Sequence, residues 1–119
     1  TLSTLVPLME GSQEHVGLLI GGRDWDSVEQ GVVYFSSDEE AMRTYKASAN
    51  RLRGIAAQAN ADVFLSVRSL YDQEAEKARV LRLRRSGDPH PYVNRNGIDR
   101  YLTVTSECMD AQLAWRGAP

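Results

Sequence analysis

Short apolar runs alternate with stretches of helical periodicity along this chain. Leu2 to Met9 reads as a strand, with Pro7 placing it at a sheet edge or near a strand end. Glu10-Gly11-Ser12-Gln13 is a turn, and His15 to Ile20 follows as a second strand, so the pair predicts an antiparallel hairpin. Gly21-Gly22 ends that strand, and Arg23 to Phe35 reads as a loop carrying Trp25 and Tyr34. Ser37 followed by Asp38-Glu39-Glu40 is a helix start: an N-cap hydroxyl, then carboxylates that complement the dipole. Ala41, Met42, Tyr45, Ala49, Leu52, Ile55, Ala56 and Ala59 recur at helical spacing behind it, predicting a helix over 38–58. Asn60 closes this helix, and a third strand is expected near Asp62–Val67. A second helix is expected over 72–85, acidic early and rich in arginine late, broken by Gly87-Asp88-Pro89-His90-Pro91. A last helix over 97–116 places Ile98, Tyr101, Leu102, Thr105, Cys108, Met109 and Leu113 on one face. The expectation is an α/β fold: a mixed sheet of at least three strands, with three helices mainly on one face.

The strand composition adds a second expectation. Val16-Gly-Leu-Leu-Ile20 and Val63-Phe-Leu65 are continuously apolar rather than alternating, as in strands covered on both faces. A two-layer unit leaves one face of its sheet open. Either another half or another chain packs there, or the loop Arg23–Phe35 folds over it.

Composition narrows the classes. At 119 residues the chain is sized for a single domain. Its 14 basic and 16 acidic residues are interspersed, which gives no electrostatic case for nucleic acid. No apolar run approaches the ~20 residues of a membrane span, and the opening residues lack a signal-peptide pattern. One cysteine, Cys108, excludes an intrachain disulfide framework. There is no Gly-x-Ser-x-Gly elbow, no phosphate-binding loop and no paired-cysteine zinc spacing; Gly21-Gly22 is a strand terminus.

Two stretches carry a family resemblance: Ala61-Asp-Val-Phe-Leu-Ser-Val-Arg-Ser-Leu-Tyr-Asp72, and the segment from Gly87-Asp-Pro-His-Pro-Tyr-Val-Asn94 to Cys108. They resemble the C-terminal half of metallo-β-lactamases, most closely the third subclass. Thr1-Leu-Ser-Thr-Leu-Val-Pro-Leu8 is similar to the strand after that family's Gly-His-Thr-Pro-Gly turn, and His15-Val-Gly-Leu-Leu-Ile-Gly-Gly22 to the next strand. The resemblance implies one half of a four-layer αβ/βα sandwich. The family's His-x-His-x-Asp-His motif belongs to the other half.

The resemblance also implies a zinc site that this chain does not complete. Arg68 stands where the family has a zinc-binding histidine, and a guanidinium has no lone pair to donate. Arg23 lies near another ligand position of the superfamily. Arg68 reads first as a surface residue paired with Asp72 or a similar neighbour; the alternative is that Arg23 and Arg68 together hold an anionic ligand. His15 reads as a structural or half-exposed histidine, His90 as a loop residue and Cys108 as a buried thiol, with these groups at different ends of the fold. Asp24 and Asp26 flank Trp25 as ordinary loop acids.

Zinc is expected for the intact family and no cofactor for this chain. The first functional expectation is a metallo-β-lactamase-like hydrolase fragment without its zinc site, non-catalytic in isolation and associating through an exposed sheet face. Its partner would be a second copy or a complementary N-terminal half, with no nucleic acid and no membrane. The alternatives are a stand-alone interaction module and a metal-free binder of an anion.

Overall fold

The computed structural model describes residues 2–21 and 37–117. The chain runs β1 (Thr4–Glu10), β2 (Gln13–Ile20), α1 (Asp38–Gln58), β3 (Val63–Ser66), α2 (Glu74–Leu83) and α3 (Arg95–Trp115). The three strands form one open mixed sheet in the order β1-β2-β3. β1 and β2 are antiparallel, with Pro7 opposite Val16 and Glu10 opposite Gln13. Gly11 opens the two-residue hairpin loop at φ 59, the positive value that glycine adopts without a Cβ penalty. β2 and β3 are parallel, with Gly17 opposite Val63 and Ile20 opposite Ser66.

The position of Pro7 follows from this register. Val16 accepts a hydrogen bond from the Asp62 N–H, so its peptide groups face β3 rather than β1. Its opposite number, Pro7, therefore turns its peptide groups toward the outer edge, where a missing N–H breaks no ladder bond.

Local chemistry sets both ends of α1. The Ser37 hydroxyl accepts from the Glu40 N–H at 3.2 Å, and Asp38, Glu39 and Glu40 fill the first turn. At the far end Asn60 adopts φ 53, a left-handed conformation that asparagine tolerates. Ala61 N–H then reaches Ala56 O at 2.9 Å and Asn60 N–H reaches Ala57 O at 3.2 Å, closing a Schellman motif. This turn delivers the chain into β3. α3 begins at the Asn94 side chain, whose Oδ1 accepts from Gly97 N–H at 3.0 Å.

The core lies between the sheet and the two long helices. Leu18 and Phe64 from the sheet meet Ala49 and Ala56 of α1 and Ile98 and Leu102 of α3, with Ala61 completing the cluster. Val16, Ile20, Leu52 and Tyr101 border it, and Met42, Met109, Leu113 and Tyr45 form a second cluster farther along the helix pair. Small residues on α1 let α3 approach closely. α2 buries no residue. It is tied to β3 by Lys77, whose Nζ donates to Phe64 O at 3.4 Å.

The expected α/β fold, its mixed sheet and its three helices are present in the expected order. One assignment is corrected. Cys108 is exposed, because the inner face of α3 is centred on Ile98, Leu102, Ser106, Met109 and Leu113. Ser106, not Cys108, takes the buried place between Leu102 and Met109.

Candidate functional site

The parallel pairing of β2 and β3 places the candidate side chains at two opposite ends of the sheet. At the carboxyl end of β3, Arg68 is exposed on the loop that leaves the sheet, and its backbone N–H donates to Ser66 Oγ at 3.1 Å. Val67, Leu70 and Tyr71 are exposed on the same loop. Asp72 is buried there, with Oδ2 accepting from Ser66 N–H at 2.8 Å and Oδ1 without a hydrogen-bond partner. Tyr92 OH donates to Glu74 Oε1 at 2.8 Å. Burial and the adjacent Glu74 carboxylate push that phenol up to about 12. Lys77 sits between the Phe64 and Tyr92 rings, 5.7 and 5.5 Å from their centroids. Burial lowers its ammonium from the ordinary lysine range, while the charges of Asp72 and Glu74 oppose that shift. Arg23, Asp24 and Asp26 lie outside the described residues, so the structure places Arg68 alone of the two arginines.

The opposite end holds a tighter constellation. His15 is buried at 7% exposure, and its Nδ1 lies 2.7 Å from Asp62 Oδ2. Asp62 Oδ1 accepts from Val16 N–H at 3.1 Å, so one carboxylate holds both the His15 ring and the β2 backbone. Beyond the ring, His15 Nε2 faces Glu10 Oε2 at 3.8 Å, and Nε2 has no hydrogen-bond partner. Arg84 Nη1 donates to Glu10 Oε1 at 2.5 Å. Asn94 N–H donates to Asp62 O at 2.7 Å, which joins the same junction to the N-cap of α3.

Electrostatics tie the junction together. Burial pushes the Asp62 carboxyl up, but the His15 and Val16 hydrogen bonds and the charges of His15 and Arg95 outweigh it. The net shift is below the ordinary aspartate value. The Arg84 guanidinium holds the Glu10 carboxyl below the usual carboxylate range, helped by the charges of His90 and His15. An orphaned buried acceptor such as Nε2 costs about 1–3 kcal/mol. Depressed carboxylates contribute stability that is complete above their unfolded values and lost as pH falls through their folded ones. Acid unfolding followed by far-UV circular dichroism should therefore show a loss of stability beginning below about pH 4–5. Asp62→Asn should remove part of that acid dependence.

Of the two readings of His15, structural or half-exposed, the structure has the first: the ring is buried and held by Asp62. One expectation for the histidines changes. His15 and His90 are not at different ends of the fold: both act on the Glu10 carboxylate, while exposed Cys108 on α3 does not join them. His90 Nδ1 accepts from Tyr92 N–H at 3.3 Å. Among the described residues no group of three or more His, Cys, Asp and Glu side chains could hold a metal ion. The donor set among the described residues does not fit a catalytic zinc, which needs about three protein ligands and an open position. Nδ1 of His15 is committed to Asp62, and Arg68 offers no lone pair.

Sequence reasoning missed the Asp62–His15–Glu10–Arg84 junction. The partners are 47 and 74 residues apart, and no spacing rule links them. The available clue was the β2–β3 pairing, which sets residue 62 beside residue 16 once the parallel register is known. No helix among the described residues is long and apolar enough to cross a membrane. Comparison with known proteins gives no matching family model, no similar curated protein and no similar solved structure.

Proposed function

We propose that this chain is the C-terminal half of a metallo-β-lactamase-like sandwich that carries no zinc site of its own. It works by packing a sheet face against a complementary half or a second copy. The observation that supports this reading is the one-sided helical layer. Leu18 and Phe64 point into the α1–α3 core, so their register neighbours Gly17, Leu19, Val63 and Leu65 lie on the other face. Val6 and Leu8 of β1 share that face, and with Leu19 and Leu65 they are only half-buried. Leu8 and Leu65 also crowd the space above Gly17, where a Cβ would lie 2.9 and 3.3 Å from their methyl groups. The result is a continuous apolar strip across all three strands.

Association through this strip should bury ~1,000 Å² or more. Light scattering is expected to find a dimer or larger species, and Leu19→Lys should shift it to monomer. A wild-type monomer at high concentration that binds no hydrophobic dye would overturn the reading. Elemental analysis of zinc-loaded, dialysed protein should find far less than one zinc per chain. Arg68→His alone should leave that result and the absence of β-lactam hydrolysis unchanged.

A further inference from the structure

We propose that α3 pairs, antiparallel, with α3 of a second copy of this chain, through a seam on the side of the helix turned away from the core. This contact is separate from the sheet-face strip and does not depend on it.

Helix phase defines the seam. Ile98, Leu102, Ser106, Met109 and Leu113 bury one side of α3. At about 3.6 residues per turn, Gly97, Tyr101, Val104, Cys108, Ala111 and Trp115 form a second row nearly opposite the first. Their spacing alternates between four and three residues, the spacing at which two helices interlock, and none of them is charged. Val104 is 56% and Trp115 85% exposed, with exposed Cys108 and Ala111 between them. These four side chains lie outside both core clusters, so the fold of a single chain does not use them.

Charge selects the occupant and its direction. On the side of α3 nearest α1, Asp99 and Thr103 are taken up by Arg53, and Asp110 by Lys46. Arg100 and Glu107 lie closer to the seam, both on one flank and one heptad apart. Both are exposed, and neither has a hydrogen-bond or ion-pair partner among the described residues. Within one helix they stand about 10 Å apart along the axis, too far to pair. A two-fold axis that reverses the second helix keeps this flank of both copies on the same side of the seam. Each Arg100 then meets Glu107 of the other copy, and the pairing occurs twice. A parallel arrangement would set the two charges beside Thr105 and Gln112 instead. The antiparallel register also sets Val104 level with Tyr101, and Cys108 level with Gly97, whose missing side chain leaves room for the thiol.

A single seam of this length buries less than the ~1,200 Å² of a standard interface, so it forms at higher concentration than the sheet-face contact. Sedimentation equilibrium at low ionic strength is the test. It is run on the full chain carrying Leu19→Lys, which keeps the sheet face from masking the seam, with Leu8→Lys as a second background of the same kind. A reversible monomer–dimer equilibrium is expected, with the dimer appearing only toward millimolar concentration. Arg100→Glu and Glu107→Arg should each weaken it on the order of tenfold, because each brings like charges together twice. The double variant should restore it, and Val104→Glu should abolish it. Circular dichroism verifies that these exposed substitutions leave the fold intact. Oxidation should yield no Cys108–Cys108 disulfide, since reversed helices hold the two thiols about 16 Å apart along the axis. A monomer at every concentration, a double charge variant no better than the single ones, or a readily formed Cys108-linked dimer would each overturn the antiparallel seam.

Discussion

Phe64→Ala should destabilise the fold by about 3–5 kcal/mol, the largest loss expected from a single truncation among the described residues. The Phe64 ring is 7% exposed and belongs to the main core with Leu18, Ile98 and Leu102. It stacks against Tyr101 with centroids 4.7 Å apart, and Lys77 Nζ lies over the same ring. Removing it leaves a cavity that β3, only four residues long, cannot collapse to fill. Urea unfolding monitored by circular dichroism gives the cost, and Leu70→Ala on the neighbouring loop should fall within about 0.5 kcal/mol of wild type. Leu70 is 88% exposed, so little is lost with it. A second readout separates cavity formation from wholesale rearrangement. Burial raises the Tyr101 phenol above the ordinary value, and that shift should relax when the ring beside it is removed. An unchanged unfolding midpoint would mean that Phe64 is not a core residue.

The same residue shows what the sequence made legible. Phe64 sits in an apolar run that reads as a buried strand, and the run does become β3. The limits of α1 were legible because its stop and start are chemical: Ser37 and three acids at one end, Asn60 at the other. α2 is shorter than its periodicity suggests, and Asp72 explains one end. Its carboxylate accepts from Ser66 N–H instead of opening the helix, and Gln73 takes φ 57 before the first turn. β1 runs on to Glu10 although the apolar pattern ends at Met9, because a hairpin ladder continues through polar residues up to its turn. Cys108 shows the reverse error, an apolar residue assigned inward when the helix phase favours Ser106. Side-chain meetings across elements were the least legible feature. Asp62 reads as a polar residue before a strand, and only the parallel register shows that it faces Val16 and His15.

Asp62→Ala is expected to cost about 2–4 kcal/mol, a large effect for a polar residue, because it strands two donors at once. The His15 Nδ1–H and the Val16 N–H both donate to this carboxylate, and His15 is almost fully enclosed. The backbone bonds from Asp62 N–H to Val16 O and from Asn94 N–H to Asp62 O survive the substitution, so β3 should stay in register. The loss should therefore appear as destabilisation without a change of fold. Asp62→Asn separates charge from hydrogen bonding. Its amide oxygen can still accept from one of the two donors, so its cost should fall between alanine and wild type. A cycle pairing Asp62→Ala with His15→Ala measures the coupling directly, since removing His15 also removes one of the stranded donors. The double variant should be more stable than the sum of the single losses predicts, by at least about 1 kcal/mol. Strict additivity would mean that the 2.7 Å contact contributes nothing to the folded state.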